Sequence, residues 1–462
     1  MNALRMILPF ALVAFFVYKS TRSRIYLLGI PFLMFMRSSV FFEDARPFWI
    51  PGRLGADTHV LIWLIIVWLL CTGLLLPAKR GEERIRPFGH SLSLPEEALI
   101  VGVAAFGVLL LGVTTVQQGD ALAALGEARG FAYLFLGYFL VRGIVSSVSL
   151  AETLAFVRAL VIINTGAAVL FILHQAVGVT IYAGAEYYTT TFMGETITRT
   201  FYFMPQLLPL SIAYIFSRRE WNVWTVAGAM VNLAAVWISY TRSLAIIAVV
   251  IIAISLLAPA LKKGQAGTVL RRALVSVAVL VALAFGVTQL FPVQSEYFVG
   301  RFNEAVAAPS VTSVGNIQNR ENKIQVTYRS ISRTDAVLGA GWVTAAQDPM
   351  AARVERMQSD IVWVPILYRL GLLGVALWVA VFAVFTWRAA KLAARKSPEI
   401  ELFGIVWLGV IVGLFLEGFL SWTFMQPGRY AMALWAFAFL GAVASTLRFA
   451  PESALTPRPE DP

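Results

Sequence analysis

Long apolar runs alternate with short polar ones along most of the chain. At 1.5 Å per residue, runs of this length can cross about 30 Å of hydrocarbon as helices. Thirteen such helices are predicted, at about residues 5–18, 24–42, 58–76, 97–116, 127–146, 152–177, 200–217, 221–239, 243–260, 271–291, 361–387, 400–424 and 427–447. The first run is short, so we predict twelve or thirteen transmembrane helices. The pattern predicts an all-α polytopic membrane protein.

One polar interval is much longer than the others, at residues 292–360 between predicted helices 10 and 11. Its backbone would have no hydrogen-bond partners in hydrocarbon, so it must lie in water on one face of the membrane. The chain is therefore predicted to divide into helices 1–10 (residues 1–291), a large loop with short helices (292–360), helices 11–13 (361–447) and a tail (448–462).

Basic residues are concentrated in alternate short loops, which indicates orientation. Examples are Arg142, Arg218, Arg219, Arg388 and Lys391. By the positive-inside rule this side is cytoplasmic. The loop at 292–360 and the ends of the helices beside it are then predicted to face outward, with the C-terminal tail inside.

Composition agrees with a membrane protein and excludes several classes of function. Hydrophobic residues make up 59% and charged residues 14% of the chain, and its mean hydropathy is +0.75. Soluble domains carry about 25% charged residues. The net charge of +11 follows from the basic cytoplasmic loops, so nucleic acid is not an expected partner. With one cysteine and three scattered histidines, the chain is predicted to use no metal and no cofactor.

Two arginines lie where this topology does not explain them. Arg199, in ITRTFYFMPQ, and Arg242, in SYTRSLA, are predicted at outward helix ends, where the positive-inside bias disfavours them. A guanidinium meets two phosphate oxygens at once and stays charged at any accessible pH. We interpret the two arginines, helped by Arg320 or Arg329 of the loop, as an anion-binding site. The alternative for each arginine alone is an interfacial side chain that reaches lipid headgroups.

Two opposite charges are predicted at similar depth inside helices 11 and 12. These are Arg369 and Glu417, and we predict that they form an ion pair. Paired charges within a membrane commonly hold helices together, although they also mark functional sites. A structural role and a direct catalytic role for this pair both stay open.

Three segments of the chain occur in a familiar order. The first is Arg199 followed by Pro205 and Gln206, and the second is the run Thr241-Arg242-Ser243. The third is VLGAGW followed by SDIVWVPILYRLGLLG, at residues 337–342 and 359–374. Together they resemble the O-antigen ligase and polymerase superfamily of bacterial envelope glycosyltransferases, from about residue 199 to residue 374. The positions that match the family's glycines and its His or Asp are Gly339, Gly341, Asp360, Gly371 and Gly374.

The resemblance implies an inverting, metal-independent glycosyltransferase at the periplasmic face of the bacterial inner membrane. Its donor would be a glycan on a polyprenyl diphosphate. The resemblance gives Arg199, Arg242 and Asp360 catalytic roles, and the residues expected to bind the diphosphate or glycan are Arg199, Arg242, Arg320, Arg329, Gln206 and Thr241. Expected partners are the lipid-linked oligosaccharide and membrane lipids, with a chain-length regulator and a flippase as candidate protein partners.

The chain departs from the family's ligases at one position. Those ligases typically carry a His near the end of the loop, whereas this chain has Asp360 there and no His after residue 174. The Asp360 carboxylate could orient or deprotonate an acceptor hydroxyl, or it could cap helix 11. Without the His, a polymerase that joins repeat units of an exopolysaccharide or O-antigen is favoured over a ligase to lipid A core.

A transporter or flippase of a lipid-linked anion is the alternative from another class. It would use the same arginines for binding and make no bond. A large loop on one face suits a one-sided reaction better than alternating access.

Overall fold

The fold is described from a computed structural model. The structure describes residues 2–35, 56–71, 95–177, 187–192, 195–200, 207–239, 242–258, 266–307, 336–344, 346–349, 363–420 and 430–449, and the single residues 322, 325, 326, 329 and 351.

Helices account for nearly all of the described chain. Before the first strand they are α1 (Asn2–Ser20), a short 3₁₀ helix (Arg24–Leu28), α2 (Gly29–Phe35), α3 (Ala56–Cys71), α4 (Pro95–Gln118), α5 (Ala121–Val145) and α6 (Leu150–Val177). After the strands they are α7 (Leu207–Ser217), α8 (Val223–Ile238), α9 (Arg242–Leu257), α10 (Ala266–Leu290), α11 (Pro292–Ala307), α12 (Trp363–Ala393), α13 (Pro398–Leu420) and α14 (Tyr430–Phe449).

The helices confirm the predicted class, an all-α polytopic membrane protein. Within the described ranges, six helices are long and apolar enough to cross a membrane, namely α4, α5, α6, α10, α12 and α13. Seven shorter apolar helices of 10–17 residues occupy the other predicted runs. The division into domains, the number of crossings and the orientation of the chain stay predictions.

The region before α7 differs from the prediction. The apolar run predicts that helix 7 begins at about residue 200, but that residue ends an antiparallel hairpin, β1 (Tyr187–Phe192) and β2 (Glu195–Thr200). The described part of α7 begins at Leu207. The run of threonines explains the difference, because β-branched side chains favour strands over helices. The hairpin adds a small β element to a helical protein.

Contacts between helices define two ends of the bundle. At one end, which we call the basic end, Arg388 of α12 pairs with Glu96 of α4, and Arg142 of α5 pairs with Glu97. At the opposite end, the loop end, α4 stops and α5 and α12 begin. The β hairpin lies between the last residue of α6 and the first of α7, both at the loop end.

Helix α9 also begins at the loop end. Ile247 and Ile251 of α9 lie against Gly413 of α13, whereas Ala258 packs with Ala393 and Ile405 near the start of α13. Helices α9 and α13 are therefore antiparallel, so the start of α9 at Arg242 lies near the end of α13. By the positive-inside rule, the loop end is predicted to face outward.

Buried hydrogen bonds tie α6, α7 and α8 together near their centres. The Asn164 amide donates to Ser211 Oγ at 2.9 Å and to Asn232 Oδ1 at 2.8 Å. Asn232 in turn donates to Thr165 Oγ1 at 2.9 Å. Asn164, Ser211 and Asn232 are fully buried, so these bonds satisfy groups that would be costly to leave unpaired.

Candidate active site at the loop end

Helix α12 is interrupted one third of the way along. Gly371 has φ 64° and ψ −168°, a conformation essentially confined to glycine. The break leaves the carbonyls of Tyr368 and Arg369 without their usual helical donors. Donors from outside the helix must therefore satisfy them.

Residues 336–342, in the second half of the long polar interval, supply those donors. Ala340 N–H donates to the Tyr368 carbonyl at 2.7 Å, and Gly341 N–H donates to the Arg369 carbonyl at 3.0 Å. In return, Leu372 N–H donates to the Ala336 carbonyl at 3.1 Å, and Leu373 N–H donates to the Val337 carbonyl at 3.2 Å. We call this reciprocal pairing of residues 336–342 with residues 368–373 the latch.

The glycines of the latch allow two backbones to approach more closely than any side chain permits. Gly339 and Gly341 have φ of 78° and 72°. A Cβ on Gly339 would lie 2.7 Å from the Arg369 carbonyl oxygen, and one on Gly371 would overlap the Val337 carbonyl oxygen. A Cβ on Gly341 would overlap Thr114 Oγ1. These positions need glycine for both space and backbone conformation.

Trp342 fastens the latch to α4 and α5. Its indole Nε1–H donates to the Gly107 carbonyl at 2.9 Å, and its backbone N–H donates to Thr114 Oγ1 at 3.1 Å. The ring packs against Phe131 of α5 with centroids 5.1 Å apart, and the side chain is only 2% exposed. Residues 336–342 are therefore anchored on α4, α5 and α12.

Arg369 lies at the centre of this arrangement and pairs with Glu127 of α5. Its Nη2 lies 2.6 Å from Glu127 Oε2, and its guanidinium lies over the Trp342 ring, 5.5 Å from the centroid. Arg369 is buried, whereas the Glu127 side chain is 24% exposed, so the ion pair joins a buried guanidinium to a partly exposed carboxylate. Next to it, the Tyr368 hydroxyl donates to the Asp348 carboxylate.

Glu127 is a partner of Arg369 that the sequence pattern does not predict. The predicted partner, Glu417, is buried on α13. Trp363 packs against Phe415 and Phe419, so Glu417 lies at the level of Trp363. Six residues separate that level from Arg369, about 9 Å along a helix. An ion pair between Arg369 and Glu417 stays a prediction.

The two predicted anion-binding arginines both belong to the loop end. Arg242 is the first residue of α9, as predicted, whereas Arg199 lies in β2 opposite Tyr188 and does not open α7. Helix α11 covers the corner between α8 and α9, because Phe298 packs against Trp237 with centroids 4.9 Å apart and against Ala245. The start of α9 is thus flanked by α11.

The remaining predicted site residues divide into two groups. Arg329 is exposed. Asp360, Arg320, Gln206 and Thr241 lie outside the described residues. Whether these side chains meet Arg199 and Arg242 in one site stays a prediction.

No protein-family model matches the chain, and no curated protein sequence matches it. One similar solved structure is a chain from a study described as "Structural coordination of polymerization and crosslinking by a peptidoglycan synthase complex". The two chains are 16% identical, the match covers 76% of this chain and 98% of the other, and the TM-score is 0.40. A similarity of this size supports no inference about the activity of this chain.

Proposed function

We propose that the protein is a polysaccharide polymerase that transfers a polyprenyl-diphosphate-linked glycan onto another lipid-linked repeat unit at the periplasmic face. The observation that carries the proposal is the latch. Gly339 and Gly371, two of the residues that give the chain its resemblance to envelope glycosyltransferases, lie about thirty residues apart in sequence yet are in contact, and a third, Gly341, donates its N–H to the Arg369 carbonyl. Their contact supports treating the short motifs as parts of one unit.

The reaction needs few catalytic groups, because diphosphate is already a good leaving group. An acceptor hydroxyl attacks the anomeric carbon of the donor from the face opposite the diphosphate, and a new C–O bond forms as the bond to the diphosphate oxygen breaks. The electron pair leaves with the polyprenyl diphosphate, and the configuration at carbon inverts. The hydroxyl proton passes to a base, the role proposed for Asp360.

The protein must chiefly stabilise the negative charge that develops on the leaving diphosphate. Fixed guanidinium groups can do this without reorganising during the reaction. Arg199 and Arg242 are proposed for this role, with Arg320, Arg329, Gln206 and Thr241 helping to hold the donor. The position of Arg242 at the start of α9 adds a helix N-terminus, which also favours an anion.

The test is polymer formation by the purified protein. A polyprenyl-diphosphate oligosaccharide is supplied alone, without added metal, and the products are separated by length. Arg242→Ala and Arg199→Ala are expected to abolish the ladder of longer lipid-linked glycans while the proteins stay folded, because the leaving diphosphate loses its counter-charge.

The matched control should replace a basic residue whose loss does not disturb the packing of the helices. Arg388 is unsuitable, because it pairs with the buried carboxylate of Glu96. Lys396, exposed in the turn between α12 and α13, serves instead, and Lys396→Ala is expected to polymerise normally. Equal losses in all three variants would contradict an anion site at the loop end. Transfer to lipid A core without a ladder would indicate a ligase, and movement of the lipid without a new bond would indicate a transporter.

A further inference from the structure

Helix α12 has one packed side and one open side. Only 39% of its most apolar stretch is buried, against 67% for α13. The buried side chains along its last turns share one side of the helix, at Trp378, Val381, Phe382, Phe385, Ala389 and Leu392. The opposite side is exposed and apolar, and we call its residues the stripe: Leu372, Ala376, Val379, Ala383 and Trp387. Within the described part of the chain, the helices packed on α12 therefore leave the stripe uncovered.

The stripe is continuous and long. Its residues recur at intervals of three and four, so each lies beside the next on the helix surface. From Leu372 to Trp387 it spans about 22 Å at 1.5 Å per residue. The hydrocarbon core of a bilayer is about 30 Å thick. Because α12 is long and apolar enough to cross a membrane, the stripe has the length and chemistry of a surface that acyl chains cover.

The stripe ends in an aromatic ring and a cation at the basic end. Trp387 is 53% exposed, and the Lys391 ammonium lies over its ring, 3.5 Å from the centroid. Lys391, one helical turn further on, is exposed as well. Tryptophan favours the boundary between hydrocarbon and headgroups, because its ring is apolar and its N–H is polar. The ring therefore holds the ammonium at the depth of lipid headgroups.

The next cation along α12 is already compensated. Arg388 pairs with the buried carboxylate of Glu96, although its guanidinium also lies 5.7 Å from the centroid of the Trp387 ring. Among the described residues, Lys391 has no carboxylate partner. The positive charge that an external anion would meet at the end of the stripe is therefore that of Lys391.

We propose that the stripe and Lys391 form a binding site for an anionic phospholipid. Its acyl chains lie along the stripe, and its phosphate contacts the Lys391 ammonium. The apolar surface and the cation at its end match the two parts of such a lipid in the order in which the lipid carries them. The site lies at the end of the bundle opposite the candidate active site. It depends neither on the proposed polymerase function nor on which side of the membrane the basic end occupies.

Fluorescence quenching tests the proposal with the full chain. The purified protein is placed in phosphatidylcholine nanodiscs that contain increasing fractions of brominated phosphatidylglycerol or of brominated phosphatidylcholine. Bromine on the acyl chains quenches a tryptophan that it contacts, and the difference between each protein and its Trp387→Phe counterpart isolates Trp387. We expect half-maximal quenching at an about fivefold lower fraction of phosphatidylglycerol than of phosphatidylcholine, because a basic side chain near the headgroups attracts the anionic lipid by about this factor.

Two charge variants show whether Lys391 provides the preference. Lys391→Gln removes the cation and keeps the ring, and the matched control Arg22→Gln removes an exposed cation in the turn after α1. Both side chains are exposed, so neither change should disturb the packing of the helices. In Lys391→Gln the two lipids should quench Trp387 equally, whereas Arg22→Gln should retain the preference of the parent.

Three results would overturn the proposal. The first is equal quenching by both lipids in the parent, and the second is a preference that survives in Lys391→Gln. The third is no quenching by either lipid, because another protein surface, for example a second copy of the chain, would then cover the stripe.

A competition experiment separates a phospholipid from a polyprenyl lipid, which also carries phosphate. Unbrominated polyprenyl phosphate should displace brominated phosphatidylglycerol no better than unbrominated phosphatidylglycerol does. Displacement at a much lower fraction would also overturn the proposal, because the stripe would then select polyprenyl chains. Since the assay measures no glycan transfer, a protein that makes no polymer would refute the polymerase and leave the lipid site standing.

Discussion

Gly371→Ala tests the physical basis of the latch most directly. At φ 64° and ψ −168°, an L-residue costs about 1–3 kcal/mol in backbone strain. The added Cβ would overlap the Val337 carbonyl oxygen, which accepts a hydrogen bond from Leu373. Moving that carbonyl away also loosens the neighbouring bond from Leu372 to Ala336, and each bond contributes about 1 kcal/mol.

Together these effects disfavour the closed latch by about 3–5 kcal/mol. Every 1.4 kcal/mol is about tenfold, so the ratio of closed to open latch should fall by more than about a hundredfold. Two assays report the change: the rate of disulfide formation between cysteines at positions 336 and 372, and the thermal unfolding midpoint in detergent. Both are expected to fall in Gly371→Ala.

The matched control is Gly286→Ala in the interior of α10. No atom lies within 4 Å of a Cβ built on Gly286, and alanine favours a helix over glycine by about 1 kcal/mol. This variant should keep the parental cross-linking rate and unfold at the same temperature or higher. An unchanged cross-linking rate and unfolding midpoint in Gly371→Ala would refute the reasoning, because the break in α12 would then tolerate a side chain.

Further predictions concern the buried polar groups, and thermal unfolding in detergent measures the first two. Arg142→Leu leaves the buried carboxylate of Glu97 without its counter-charge and should lower stability by about 3–5 kcal/mol, while adding Glu97→Leu should recover most of the loss. Asn232→Ala removes a buried hydrogen-bond partner of Asn164 and should lower stability by about 1–3 kcal/mol. An unchanged stability would show that the contact between α6 and α8 does not depend on this hydrogen bond. Trp342→Phe keeps an aromatic ring at this position but loses the indole N–H bond to α4, so latch cross-linking should slow by about fivefold, a change of about 1 kcal/mol.

The helices could be predicted from the sequence because the length of each apolar run largely determines where its helix begins and ends. Helices α4, α6 and α13 begin and end within about four residues of the predicted apolar runs. The β hairpin was not predicted, although Thr189, Thr190 and Thr191 are a strand signal. Reading β-branched enrichment beside the hydropathy pattern would have found it.

The latch could not be derived in the same way. Gly371 lies in an apolar run that continues across it, and nothing local shows that the helix breaks there. The break depends on donors from residues far away in sequence, in particular Ala340 and Gly341. The resemblance singled out Gly339, Gly341 and Gly371, but only the three-dimensional structure shows that Gly339 and Gly371 are in contact.

The Glu127 partner of Arg369 was also missed. Similar depth along helices 11 and 12 predicts an ion pair of Arg369 with Glu417, which stays a prediction, but depth gives no information on contacts with α5. Helix packing decides such pairs, and α12 packs on α4 as well as α13, which brings α5 within reach. A sequence alone does not give that packing order.

The most direct test of the proposed polymerase compares the number of glycosidic bonds formed with the number of polyprenyl diphosphates released. The purified protein is given two forms of the same lipid-linked repeat unit, one with a labelled glycan and one on a shorter prenyl chain, without metal. We predict that doubled glycans form in which the labelled glycan is joined to the glycan on the shorter prenyl chain. One polyprenyl diphosphate should be released for each bond formed. Doubled glycans should be absent with Arg242→Ala. Diphosphate release without glycan joining, or no new bond with the correct repeat unit, would contradict the account.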